Sequence, residues 1–187
     1  MKPNKIILWS IVLLVAIAAL YRIIPGRPPG FAPQWAMALF AGAVIKDRKW
    51  ALAIPIFSLL ISDALYQVLY INNWSTIPGF YQGQWINYLL FATVTFFGFL
   101  IRKSSISQIL LLSLAAPTYF FIVSNFLTWV GVGEYVEYPK SFSGLLSCYG
   151  AGLPFYKYSL MATLLFSFIL FGSYRIVSKN TRILQAS

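Results

Sequence analysis

Residues 21–67 read YRIIPGRPPGFAPQWAMALFAGAVIKDRKWALAIPIFSLLISDALYQ, and this stretch decides the fold. It opens with a proline- and glycine-rich loop, Arg22 to Pro33. A short run of small apolar residues, Ala32 to Ile45, comes next. The basic turn Lys46 to Lys49 leads into a long apolar run that carries Asp63. The stretch holds two of the chain's four acids and five of its fourteen bases. Such charges are out of place beside hydrocarbon, so their positions are informative.

The 187 residues are 59% hydrophobic and 10% charged, with a mean hydropathy of +0.75. A water-soluble domain of that length needs a more polar exterior, so the chain belongs in a bilayer. The net charge of +10 is spread in short basic clusters between apolar runs. That pattern sets membrane topology and argues against a nucleic-acid surface. With one cysteine, Cys148, and no histidine, an intrachain disulfide and histidine-containing metal sites are excluded.

The apolar runs predict an all-α integral membrane protein: a single transmembrane domain, 1–187, with helices at approximately 6–24, 32–45, 50–71, 85–101, 106–126 and 155–177. Residues 22–33 form an outer lid loop, and 127–154, broken by Gly144, Gly150 and Gly152, form an outer loop or partial helix. The first run also has the features of a secretory signal, with Lys2 and Lys5 ahead of it and Ala16-Ile17-Ala18 as a cleavage pattern. Its continuation to Pro25 favours an uncleaved helix. Fourteen residues rising ~1.5 Å each make the second run short for a ~30 Å hydrocarbon core, which suggests thinned bilayer or a place inside the bundle.

With six spans and a cytoplasmic N-terminus, ten bases fall inside: Lys2, Lys5, Lys46, Arg48, Lys49, Arg102, Lys103, Arg175, Lys179 and Arg182. Four, Arg22, Arg27, Lys140 and Lys157, fall outside, together with Glu134, Glu137 and the aromatics Trp74, Tyr81, Trp85, Trp129 and Tyr135. The bias orients both termini to the cytoplasm.

An ionised carboxylate inside a membrane helix costs roughly 2.5–3.5 kcal/mol at the centre, so Asp63 requires a partner. Tyr66 and Gln67 share its helical face at i+3 and i+4, and Ser62 adjoins it. This stripe either grips a ligand in a polar cavity or makes a structural ion pair with Arg22 or Arg27. The stiff first loop presents Arg22, Arg27 and Phe31, with Gln34 just beyond, and arginine suits bidentate recognition of a carboxylate or phosphate. The alternative is a connector whose arginines snorkel to lipid headgroups. Asn125, Thr128 and Trp129 lie near Tyr149, Pro154, Phe155 and Tyr156, and aromatics with a few directed polar groups are the usual make-up of a small-molecule site. Cys148 reads as a small buried hydrophobe rather than a soft ligand. Ala32, Ala36, Ala38 and Gly42 have the spacing of a close helix contact. No catalytic motif is present, so we expect no enzyme and no cofactor.

Arg22-Ile-Ile-Pro, Phe31-Ala-Pro, Ala38-Leu-Phe-Ala-Gly, Ser62-Asp63, Asn125-Phe-Leu-Thr-Trp129 and Leu153-Pro-Phe resemble an uncharacterised family of bacterial membrane transport proteins. That family is in turn similar to the substrate-binding S components of energy-coupling-factor vitamin transporters. The resemblance implies a six-helix bundle of the bacterial inner membrane that binds a vitamin or similar micronutrient in its outer half, under the first loop. It implies a substrate site drawn from Arg22, Arg27, Phe31, Gln34, Asp63, Tyr66, Gln67, Asn125, Trp129 and Tyr149. Its partners would be a small-molecule substrate, the lipid bilayer and an energising transmembrane subunit with ATPases. The first helix departs from the pattern, since its alanines, Ala16, Ala18 and Ala19, lack the A-x-x-x-A spacing of many S components. The rival expectation is an accessory subunit whose small-residue face docks a larger membrane complex.

Overall fold

The computed structural model describes residues 5–102, 105–132 and 137–186, with side chains from 13 onward through 176 and at 178. Lys2, Lys103, Glu134 and Tyr135 lie outside the described residues, as do the side chains of Lys5, Lys179 and Arg182. Six helices follow one another: α1 (Lys5–Arg22), α2 (Gln34–Val44), α3 (Arg48–Ile71), α4 (Gln84–Phe99), α5 (Ile106–Val130) and α6 (Phe142–Ala186). No strand occurs among the described residues.

The ends of these helices follow local chemistry. Asp47 caps α3, its side chain accepting from the Lys49 N–H at 2.9 Å. Gly131 closes α5 in the left-handed region (φ 95°), where its N–H reaches the Leu127 and Thr128 carbonyls. Pro55, Pro117 and Pro154 lie inside α3, α5 and α6.

Among the described residues three helical segments are long and apolar enough to cross a membrane: Arg48–Ile71, Ile106–Val130 and Phe142–Ile176. Their outward faces carry Phe57, Ile61, Leu110, Leu114, Ile122 and Phe168, all exposed. A continuous apolar exterior of this kind is unstable in water and stable in lipid, so this is a helical membrane protein.

α2 occupies the centre, packing against α3, α4, α5 and α6. Its Ala36, Met37, Ala38 and Leu39 are completely buried. At ~1.5 Å per residue its 11 residues cover only ~16 Å, and the surrounding helices shield it from lipid. The small-residue spacing at Ala32, Ala36, Ala38 and Gly42 is therefore spent inside the bundle, notably where Gly42 lies directly on Gly98 of α4. The face expected to dock a larger complex is not on the surface.

Residues 127–154 differ from the expectation. α5 continues one turn past 126, and α6 already begins at Phe142 and runs through Pro154 without a break. In hydrocarbon an unwound segment leaves amides and carbonyls without water, so glycine and proline interrupt membrane helices far less than soluble ones. Gly152 has a packing reason as well, since a Cβ there would lie 2.5 Å from Asn125 Oδ1.

Candidate functional site

Asp63 is 3% exposed and sits at the junction of α1, α3 and α4. Arg22, at the end of α1, makes an ion pair with its Oδ1. The same guanidinium nitrogen donates to Ser62 Oγ at 2.6 Å. Asp63 Oδ2 accepts from Gln84 Nε2 at 2.6 Å and from the Tyr88 hydroxyl at 2.5 Å. Both carboxylate oxygens are thus engaged by protein. Of the two roles the sequence leaves open for Asp63, this is the geometry of the structural ion pair.

The rest of the stripe is also committed. The Tyr66 hydroxyl donates to the Arg22 carbonyl at 2.7 Å, and the Arg22 guanidinium lies 5.7 Å above the Tyr66 ring. Gln67 Oε1 accepts the Gly79 and Phe80 N–H groups at 3.1 Å each, holding the α3–α4 loop down. Arg27 donates to the Arg22 carbonyl at 3.2 Å and to the Phe31 carbonyl at 2.8 Å, and the Phe31 ring packs against Tyr21 and Phe166. Gln34 Nε2 bonds the Ala18 carbonyl at 3.0 Å, and its Oε1 is buried without a protein partner. The first loop is further pinned where the Gly30 carbonyl accepts from Ser159 Oγ at 3.1 Å. These residues brace one end of the bundle.

A sizeable cavity lies to the side of this network. It has a volume of about 440 Å³ and is walled chiefly by two helices. From α5 come Pro117, Phe120, Phe121, Ser124, Asn125 and Thr128; from α6 come Cys148, Ala151, Gly152, Phe155, Tyr156 and Ser159. Each set is spaced i, i+3, i+4, i+7, i+8, i+11, one face of a helix. Trp35 of α2, Asn87 of α4 and Tyr138 complete the lining. A smaller cavity of about 160 Å³ shares Asn87, Ser124, Thr128 and Tyr138 with it. No lining residue of the large cavity is charged.

Of the expected site residues, Asn125 alone lines this cavity. Arg22, Arg27, Phe31, Gln34, Asp63, Tyr66 and Gln67 do not, nor does any residue of the loop 22–33. Trp129 and Tyr149 stand behind the wall. Trp129 Nε1 donates to the Pro139 carbonyl at 2.9 Å, while the Tyr149 hydroxyl donates to the Ile122 carbonyl at 2.7 Å and its ring meets Phe121 edge-on. The neighbours Thr128, Phe155 and Tyr156 do line it. Cys148 is buried, its thiol donating to the Asn125 carbonyl at 3.3 Å, as befits a small hydrophobe.

Trp35, Asn87, Ser124 and the Phe120–Phe121 pair were not expected in a site. The available signal was the stripe itself: on α5, two aromatics followed by a hydroxyl, an amide and a hydroxyl on one face. Among the described residues no group of three or more potential metal ligands occurs.

The model of the Family of unknown function (DUF6580) matches residues 2–185, nearly the whole chain. The chain belongs to that family. No curated protein and no solved structure matches it.

Proposed function

We propose that this protein is the substrate-binding membrane component of an uptake system for a vitamin or similar small micronutrient. It crosses the bacterial inner membrane six times with both termini inside. The ligand sits in the outer half of the bundle, between α5 and α6, against Trp35.

The observation that carries this reading is the cavity of about 440 Å³ whose two walls are matched helical stripes of aromatic and neutral polar side chains. Its size and mixture are those of a small-molecule site. It lies at the N-terminal ends of α2, α4 and α6 and beside the C-terminal half of α5, away from Lys46, Arg48, Lys49 and Arg102. The positive-inside bias makes that end the outer one. Asp63 and Arg22 supply rigidity there instead of gripping the ligand. The chain has no nucleotide-binding motif, so energy for uptake comes from a partner, such as a transmembrane subunit with ATPases, or the protein works alone.

Native mass spectrometry of protein purified from its own host in mild detergent tests this. A bound metabolite that is lost on Asn125→Leu supports the binding reading. A ligand-free protein that always carries the same partner subunit would instead favour an accessory role. That rival is weakened by the burial of the α2 small-residue face within the chain's own bundle.

A further inference from the structure

Resting on that binding reading, we propose that the ligand is an uncharged, planar ring system with a carbonyl or amide edge. The ring is held among Trp35, Phe120, Phe121 and Tyr156, and its edge is read by neutral donors and acceptors.

The aromatic residues line the cavity as two pairs. Phe121 and Tyr156 stack at 4.6 Å with planes 21° apart, joining the α5 and α6 walls, and Phe120 packs on Trp35 at 4.4 Å. Flat π-systems favour offset stacking or edge contact with such rings. A saturated ligand of equal volume gains area burial but not this geometry.

The polar groups indicate what the ring carries. Several of them have hydrogen-bonding capacity that the protein leaves unused. The Trp35 indole N–H and the Ser124 hydroxyl line the cavity without a protein hydrogen bond. Asn125 spends one amide hydrogen on the Phe121 carbonyl at 2.8 Å, and its Oδ1 meets only the Cys148 thiol at 4.0 Å. Asn87 donates to the Tyr81 hydroxyl at 2.6 Å and retains its carbonyl oxygen. Donors and acceptors therefore face the space together. An edge with C=O beside N–H uses both, whereas a purely hydrocarbon ring leaves them unsatisfied.

Charge is excluded by the same lining. A carboxylate, phosphate or ammonium there would lose hydration with no counter-ion, a cost the neutral groups do not offset. At this end of the bundle Asp63 and Arg22 are bound to each other, Lys140 is held by the Trp129 carbonyl and ring, and Lys157 lies over the Tyr158 ring. Arginine near the first loop suggested an anionic ligand at the level of the sequence. Neither arginine lines the cavity, so that suggestion loses its basis.

The test is binding of defined probes to the detergent-purified full chain by calorimetry, beside identification of any co-purified metabolite. The neutral probes are lumichrome, 4-quinolone and nicotinamide; the charged ones are nicotinate, 4-quinolone-3-carboxylate and the N-methylnicotinamide cation. A neutral probe should bind best and compete with the co-purified metabolite. Asn125→Leu should weaken it roughly tenfold or more, as a lost polar partner does. Trp35→Phe, which keeps an aromatic ring but removes the N–H and the pyrrole half of the indole, should weaken it several-fold, and its melting temperature, measured beside the affinity, separates a folding defect from a binding one. A charged probe or charged metabolite bound more tightly, and lost on Asn125→Leu, overturns the ligand class and leaves the binding reading standing. Absence of any bound probe and any co-purified metabolite overturns both.

Discussion

Gly42 of α2 and Gly98 of α4 meet backbone to backbone. A Cβ on Gly42 would lie 2.4 Å from the Thr95 carbonyl oxygen and 2.9 Å from the Gly98 Cα, and one on Gly98 would lie 2.4 Å from the Leu39 carbonyl oxygen. Neither neighbour is a flexible side chain that can swing away. This crossing sets how closely the central helix approaches α4, and so places Trp35 one end further along against Phe91 and the cavity.

Gly98→Ala should therefore lower stability by about 1–3 kcal/mol, the usual range for overpacking, with Gly42→Ala similar. Thermal unfolding in mild detergent measures it. An unchanged melting temperature for both variants would show that the crossing is looser than the Gly42–Gly98 contact requires.

Removing one member of a buried ion pair leaves the other uncompensated, at a typical cost of about 3–5 kcal/mol. Asp63→Ala strands the Arg22 guanidinium and frees Gln84 and Tyr88, so it should destabilise within that range. The double variant Arg22→Met with Asp63→Leu should lose less than Asp63→Ala alone. Ligand affinity of the folded fraction should stay within a few-fold of wild type. A large affinity loss at unchanged stability would return Asp63 to the binding site.

Gly152 faces the Asn125 amide, and an added Cβ would lie 2.5 Å from its Oδ1 and 2.8 Å from its Nδ2. The amide is the movable partner, so Gly152→Ala should turn it rather than break the helix pair. Ligand affinity should fall roughly tenfold, the worth of one or two neutral hydrogen bonds, with little change in melting temperature. Titration calorimetry with the co-purified metabolite decides; full affinity in this variant would remove Asn125 from the contact set.

The orientation is open to chemical labelling. In a Cys148→Ala background, Ser75→Cys in the α3–α4 loop should react in whole cells with a membrane-impermeant maleimide. Lys46→Cys in the α2–α3 turn should react only after permeabilisation. The reverse pattern inverts the topology, and labelling of both from one side means that α3 does not cross.

Composition and the spacing of apolar runs were enough to read an all-helical membrane protein, though the last helix begins at Phe142 and not at the expected 155. Membrane solvation acts on every residue of a segment alike, so it is written in local sequence. The need for a partner at Asp63 was equally legible, because the cost of a bare carboxylate in hydrocarbon does not depend on the fold. Which partner it takes was not. Arg22, Gln84 and Tyr88 come from 41, 21 and 25 residues away, and only the packing of α1, α3 and α4 brings them together.

The cavity shows the same division. The α5 face running from Pro117 to Thr128 is a sequence pattern, yet a stripe of aromatics reads equally well as core or as lipid contact. It becomes a wall because Gly152 lets α6 approach Asn125, and because the Gly42–Gly98 crossing seats α2 so that Trp35 reaches the same space. Pro154 and the glycines of α6 look like a break to any reading based on soluble helices. The absence of water around the backbone keeps that helix whole. Local solvation and periodicity determined the class and the segments. Only long-range packing decided that the arginines and Asp63 brace the bundle while uncharged side chains line its cavity.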